Sequence, residues 1–466
     1  MQQLTGLDAS FLNLETSTQH GHVAGVVILD PSTAPDGFDF ETLRELIASR
    51  IHLLPPFRRK LVEVPFGLDH PYWIEDPEFD LDFHVRHIAV PPPGDRRQLA
   101  EQVARIHARP LDRSRPLWEL YLIEGLADGR VATFTKLHHA AIDGVSGAEI
   151  LTILLDADPE GRDVETDDRW RPDRMPGQVE LLARTGFQYA IRPVKALKLA
   201  RNVARSVPVL AAFIPRRRSD VLSRPTPIAP HTRLNDPITA HRRFAFTDVE
   251  LGRIKAIKNA AGVTVNDVVI ALCAGAMRRW LEEHHEVPDR SLQAMVPISI
   301  RSDETADTMG NEVSVMIASI GTHLDDPLDR LAHAHESMNV AKHAHNATPA
   351  TLLQDFAQFA PPAVAARAAR LVFRNGRAGR MTPFNMVISN IPGPSFPLYL
   401  AGARLEGHYP VSAIVEGMAV NITLHSYLGN LCFGIVADRE IVPDTWELMQ
   451  LVTDEVEVLE EALDLT

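Results

Sequence analysis

The seven residues His138-His139-Ala140-Ala141-Ile142-Asp143-Gly144 combine the side chains best suited to proton transfer in this chain. A histidine titrates near neutral pH and takes a proton from a hydroxyl as a general base. Residues 130–138 (Arg-Val-Ala-Thr-Phe-Thr-Lys-Leu-His) read as a strand, so both histidines end it. Successive side chains on a strand point to opposite faces, and only one of the two faces a given channel. The same alternation makes a metal shared between them awkward. No Glu or third His stands at metal-ligand spacing, so no metal is expected. Asp143-Gly144 predicts a tight turn between strand and helix. The glycine permits close backbone packing, and the aspartate fixes the turn by a salt bridge or backbone bonds.

These residues need elements to carry them. Residues 118–124 (Trp-Glu-Leu-Tyr-Leu-Ile-Glu) predict a strand, and Asp128-Gly129 a turn into 130–138. This hairpin delivers the chain to His138-His139. Beyond Gly144, the spacing of Ala148, Ile150, Leu151, Leu154 and Leu155 predicts a helix. Upstream, residues 22–29 read as a buried strand and 40–51 as a helix that stops before Pro55-Pro56. The second half predicts a strand at 241–247 and helices at 248–261 and about 265–284. A strand near 292–300 follows, then a long Ala-rich helical region over about 326–372. Ser389-Asn390-Ile391-Pro392-Gly393-Pro394 reads as a loop by its Pro and Gly content. A hairpin spans 418–427 and 431–437, joined at Gly429-Asn430. Strands and helices alternate in both halves. This divides the chain into an N-terminal domain (1–170), a basic amphipathic segment and linker (171–240) and a C-terminal domain (241–466).

Composition bounds the partners. The 466 residues exceed one ordinary core and fit two domains of roughly 200 residues. With 45% hydrophobic and 23% charged residues the chain reads as globular. A net charge of −14 argues against nucleic acid as partner. Cys273 and Cys432 show neither metal spacing nor a disulfide framework, and read as core residues in a reducing compartment. Met1 to Asp30 lacks the pattern of a secretory signal. The sequons at Asn346 and Asn421 therefore read as chance. Within this acidic chain, residues 178–218 hold nine Arg and Lys but only Glu180 as acid. A second run, Arg367, Arg370, Arg374, Arg377 and Arg380, has no acids either. Such segments suit an anionic membrane surface, the phosphates of coenzyme A, or a solvated helix face.

The histidine stretch resembles the active-site motif of the CoA-dependent acyltransferase superfamily, which includes chloramphenicol acetyltransferase-like enzymes and peptide-synthetase condensation domains. Four further stretches make the likeness narrower: Leu7-Asp8-Ala9-Ser10-Phe11, Pro116-Leu117-Trp118-Glu119, Asn266-Asp267-Val268 and Ser389 to Pro394. With them the chain resembles, over essentially its whole length, the bacterial wax ester synthase/diacylglycerol acyltransferase family, especially its actinobacterial triacylglycerol synthases. The resemblance implies an α/β (α+β) fold of two chloramphenicol acetyltransferase-like domains. Each would be a mixed sheet with flanking helices, and the active-site channel would run between them. It implies transfer of a long-chain acyl group from acyl-CoA, as co-substrate with no cofactor, to diacylglycerol or a long-chain alcohol.

In this likeness His139 matches the catalytic second histidine, which deprotonates the acceptor hydroxyl for direct attack on the thioester. His138 precedes it. Asp143 and Gly144 hold the loop, with Arg58, Arg59 or Arg301 as the partner of Asp143. Asn266, beside Asp267, is the candidate oxyanion donor, and otherwise the N-cap of its helix. Trp118 reads as packing and Asn390 as channel wall. Peripheral association with the inner face of the membrane or with lipid droplets is expected. Two rivals share the fold: a condensation-type transferase with a carrier-bound donor, and a non-catalytic lipid-droplet protein. Gly144-Val145-Ser146-Gly147-Ala148 approaches a nucleophile elbow, but ends in Ala148 and places Ser146 only seven residues after His139.

Overall fold

The computed structural model describes residues 1–141, 147–165, 170–187, 229–299, 313–346 and 382–465. Several features of interest lie outside these residues: Asp143, Gly144, Ser146, Arg301, most of the basic segment and the second arginine run. Two six-stranded mixed sheets form the frame. Across the first the strands run Tyr399–Leu400, Ala403–Val411, His22–Asp30, Val131–His138, Trp118–Glu124 and Val85–Ala89. Across the second they run Val313–Ser319, Gln293–Ser299, Met386–Ile391, Val420–Tyr427, Asn430–Asp438 and Arg242–Glu250. A small third sheet joins Gln2–Gln3, Tyr72–Glu75 and Arg59–Val62.

The hairpin expected around 118–138 forms as Trp118–Glu124 and Val131–His138, antiparallel, with Trp118 opposite Leu137. Its strands read clearly because both are buried over most of their length. Two strands placed in the C-terminal half by sequence order belong elsewhere. The 241–466 block lends both Tyr399–Leu400 and Ala403–Val411 to the first sheet. Among the strands Tyr399–Leu400 pairs only with Ala403–Val411, and the block joins the N-terminal strands through Ala403–Val411, which pairs antiparallel with His22–Asp30. Its register sets Val411 opposite Ala24 and Arg404 opposite Asp30, a pairing between residues far apart in the chain.

This lent strand is where the sheets meet. Tyr409 packs on Phe246 at 4.6 Å, and its hydroxyl donates to Asp248 at 2.8 Å. His408 meets His425 edge to face at 4.7 Å. Gly434 lies against Pro410, where a Cβ would come within 1.9 Å of the Pro410 carbonyl oxygen. Gly434→Val therefore forces backbone from backbone, and we expect a loss of about 3 kcal/mol or more. Differential scanning calorimetry should show Tm falling by several degrees; an unchanged Tm would refute this account of the junction.

Other expectations shift in detail. Ser389, Asn390 and Ile391 belong to the strand Met386–Ile391, parallel to Val420–Tyr427 with Asn390 opposite Leu424. The loop begins only at Pro392, since Pro and Gly punctuate the chain after the pairing residues. The cap of the helix Val265–Glu283 is Thr264, not Asn266. Thr264 and Asp267 form a reciprocal capping box, and Asn266 falls inside the first turn. Trp118 is packed as expected: its ring lies between Phe57 and His84, and its N–H donates to the Phe57 carbonyl. Cys273 and Cys432 are buried and free, and burial pushes both thiols up to about 12. No single helix among the described residues is long and apolar enough to cross a membrane.

Candidate active site

The first histidine ends the strand Val131–His138, and the second opens the short 3₁₀ turn His139–Ala141. That break separates their roles. His138 is buried and both of its ring nitrogens are engaged. Its Nδ1 accepts the Ala140 N–H at 3.0 Å, so the proton sits on Nε2, which donates to Glu15 Oε1 at 3.1 Å. The His139 ring is exposed. Among the described residues neither of its nitrogens has a hydrogen-bond partner, and the ring is held by stacking on Phe11 at 4.8 Å. Although its edge is open, protein crowds the ring from behind. This desolvation, with the His138 ring beside it, lowers its pKa to about 4.

Glu15 organises the turn from 124 residues upstream. It follows the helix Gly6–Asn13, which packs against His139–Ala141, while Ala9 and Leu12 share a core with Ala140 and Ala141. One oxygen of Glu15 accepts from His138 and from the Gly21 N–H at 3.0 Å; the other accepts from Arg113 at 2.6 Å. Burial alone would raise its pKa, but His138, Arg113 and Gly21 outweigh that and bring the carboxyl down to about 2. The Gly21 carbonyl in turn accepts the His139 N–H at 2.8 Å. Glu15 therefore holds the turn by two routes: through the His138 ring to Ala140, and through Gly21 to the backbone of His139. A Cβ on Gly21 would sit 3.1 Å from His138 Nε2, so a larger residue would crowd this clamp.

The second half reaches the same region through its loop 412–419. Glu416 accepts from the Thr18 hydroxyl and from the Ile238 N–H, while its own N–H donates to Gln19. Arg242 donates to the Thr18 carbonyl. Behind the site, Lys136 is buried against Glu119 and the carbonyls of Ile106 and Arg109, and burial lowers its pKa to about 8.

Sequence reasoning missed Glu15, Arg113, Gly21 and the ring role of Phe11. Only Leu7 to Phe11 carried any signal, and no local spacing ties Glu15 to residue 138. The remaining candidates are placed as follows. Asp267 accepts from Thr264 and from His335 Nδ1 at 2.8 Å, latching its helix to Pro327–Asn346. Asn266 is half-buried, and its side chain has no hydrogen-bond partner among the described residues. Of the arginines considered for Asp143, Arg59 pairs with Glu75 at 2.7 Å and Arg58 lies over the Trp170 ring.

Two family models match the chain. The wax ester synthase/diacylglycerol acyltransferase catalytic domain covers residues 4–269, and the C-terminal domain of the same family covers 309–460. The chain belongs to this family. It is 39% identical to the probable diacylglycerol O-acyltransferase tgs2 of Mycobacterium tuberculosis H37Rv, over 98% of both chains. Among solved structures, it is similar to the wax ester synthase/diacylglycerol acyltransferase from Marinobacter aquaeolei VT8. There the TM-score is 0.71 at 31% identity, covering 99% of this chain and 100% of that one. The first condensation domain of the CDA synthetase shares the fold, with a TM-score of 0.56 at 14% identity over 100% of this chain and 96% of that one. This family member thus has the two-sheet α/β architecture of the acyltransferases and condensation domains.

Proposed function

We propose that this acyltransferase moves a long-chain acyl group from acyl-CoA to the free hydroxyl of diacylglycerol, giving triacylglycerol and free coenzyme A. Long-chain alcohols are further acceptors, giving wax esters. The observation that carries the mechanism is the contrast between two adjacent imidazoles, His138 with both nitrogens bound and His139 with neither nitrogen hydrogen-bonded among the described residues. The names of tgs2 and of the Marinobacter enzyme support the choice of acceptors.

A neutral ring nitrogen of His139 takes the acceptor's hydroxyl proton as the oxygen attacks the thioester carbonyl. The tetrahedral oxyanion receives a hydrogen bond from Asn266, and Asp143 and Gly144 brace the turn behind His139. Collapse breaks the C–S bond, and His139 returns its proton to the leaving thiolate. The chain's own side chains carry every step, with acyl-CoA as co-substrate. Purified protein given labelled acyl-CoA and a panel of diacylglycerol, monoacylglycerol, hexadecanol and a sterol should form triacylglycerol, and with hexadecanol a wax ester. No product from any acceptor would overturn the reading.

Because His139 acts unprotonated, its low pKa sets the acid limb of activity. As pH falls, the ring stays neutral through the ordinary histidine range and becomes protonated only near its value of about 4. We expect kcat/KM to hold from pH 8 down to about 5 and to fall below that. A rate titrating with an ordinary histidine pKa near 6.5 would contradict this environment.

The acceptor is water-insoluble, and we place the enzyme peripherally at a lipid surface, on the inner face of the membrane or on lipid droplets. Exposed apolar residues on and beside the small third sheet support this. Phe66 is 84% exposed, Val179 81% and Phe187 67%, with Met175 nearby along the chain. The helix over 178–187 packs Leu181 into the core of that sheet and turns Val179 and Phe187 outward. From Phe187 the chain continues into the Arg- and Lys-rich stretch. Apolar side chains beside cations are what an anionic lipid surface binds. In a flotation assay, joint Phe66→Ser, Val179→Ser and Phe187→Ser substitution should reduce binding to anionic liposomes several-fold without changing Tm. Undiminished binding would rule out this face.

A further inference from the structure

Glu15 has two other neighbours besides those that orient the site. His20 and His22 stand two residues apart, and their rings stack at 5.2 Å. His20 Nδ1 lies 3.9 Å from Glu15 Oε1, and His22 Nε2 lies 3.8 Å from the same oxygen. One ligand atom from each of Glu15, His20 and His22 falls within 4.8 Å of the others. His22 is 1% exposed, and among the described residues neither of its nitrogens has a hydrogen-bond partner; His20 Nδ1, also buried, has none there either. Buried polar atoms left unpaired are costly and rare, and three in one cluster call for an occupant.

We propose that Glu15, His20 and His22 form a binding site for a zinc-class divalent metal, and that metal bound there slows acyl transfer. Two imidazoles and one carboxylate are an established donor set for this class, leaving a fourth position for water. The ligand atoms need to draw inward by only a few tenths of an ångström to reach a common centre at about 2.0–2.1 Å. A carboxylate and neutral imidazoles are the forms in which these side chains ligate a metal. Nearby cations have carboxylates of their own: Lys136 lies 3.5 Å from Glu119, Arg242 lies 3.8 Å from Asp438, and Arg113 takes the other oxygen of Glu15.

Inhibition follows from the oxygen shared between the two arrangements. Glu15 Oε1 is the acceptor for His138 Nε2 and the Gly21 N–H. A metal on that atom competes with both donors and loosens the clamp on the His139 turn. No substrate bond changes, so the effect falls on turnover through positioning.

Metal binding is measured separately from catalysis, so failure here leaves the proposed reaction standing. The full chain, stripped by chelator, is titrated with Co²⁺ and followed by its visible d–d bands, and with Zn²⁺ by calorimetry. Wild type should show one tetrahedral Co²⁺ site and one tight Zn²⁺ site. His20→Gln and His22→Asn should each weaken it at least about tenfold. His20→Gln, at the less buried position, tests the site if His22→Asn lowers Tm. Zinc should slow turnover severalfold in wild type but not in His20→Gln. Absence of a one-to-one site, undiminished binding in the folded variants, or full turnover with the site occupied would overturn the proposal.

Discussion

His139→Ala lowers kcat/KM for acyl transfer by about 10²–10⁴-fold while Tm stays within a degree or two of wild type. The large effect follows from removing the group that takes the hydroxyl proton, since no other titratable ring on this turn is free to replace it. His138 is committed at both nitrogens, to Ala140 and to Glu15. The small effect on stability follows from how little holds the His139 side chain. It is exposed, and among the described residues it accepts and donates no hydrogen bond and stacks only on Phe11. Such a ring pair contributes about 0.5–1.5 kcal/mol. The comparison variant is His138→Ala. It leaves the Glu15 carboxylate without one donor and the Ala140 N–H without an acceptor, so it should lose Tm and activity together. Equal Tm losses in both variants would mean that the two histidines are not divided as described.

Glu15→Ala lowers kcat by about 100-fold or more, with KM for acyl-CoA changed little. This second expectation rests on reach rather than contact with substrate. The carboxylate collects His138, Gly21 and Arg113, and through the first two it fixes the ring and backbone that define the His139 turn. A misplacement of about 1 Å at a catalytic group costs of order 10²-fold in rate. Removing the carboxylate also leaves Arg113 without its closest acid, but that guanidinium is 39% exposed and keeps Glu63 at 3.8 Å, so loss of this ion pair costs only about 1 kcal/mol. Glu15→Gln keeps an acceptor for His138 and Gly21 but lacks the charge, and should recover much of kcat. Side-by-side steady-state kinetics on the two variants check this. If Gln is as impaired as Ala, the negative charge matters more than the geometry.

The sequence shows some of these parts and hides others for physical reasons. The 118–138 hairpin is readable because its strands are buried runs joined by a short turn, and all its information is local. The strand Ala403–Val411 is not readable as a member of the first sheet. Its partner is His22–Asp30, and nothing local in either segment names the other. Glu15 is hidden for the same reason: its function comes from residues 21, 113 and 138, which only the fold collects. The histidine pair itself stands out because adjacent residues of one type at a strand end are a local feature. That His139 leaves the strand for the 3₁₀ turn His139–Ala141, and that this break rather than strand alternation divides the two rings, is not readable locally. Asn266 shows the limit at a boundary. Its side-chain type suits a cap, but the Thr264 and Asp267 pair forms the box two residues earlier and one later.

Direct transfer is most sharply tested without acceptor. Purified protein is mixed with excess labelled acyl-CoA in rapid-quench mode, and released coenzyme A and protein-bound label are counted over the first turnovers. If His139 activates the acceptor hydroxyl itself, no stoichiometric burst of coenzyme A appears and the intact protein mass is unchanged until diacylglycerol is added. Coenzyme A and triacylglycerol then rise together. One equivalent of coenzyme A released before acceptor, with the acyl mass retained on the protein, would show a covalent intermediate and contradict the account.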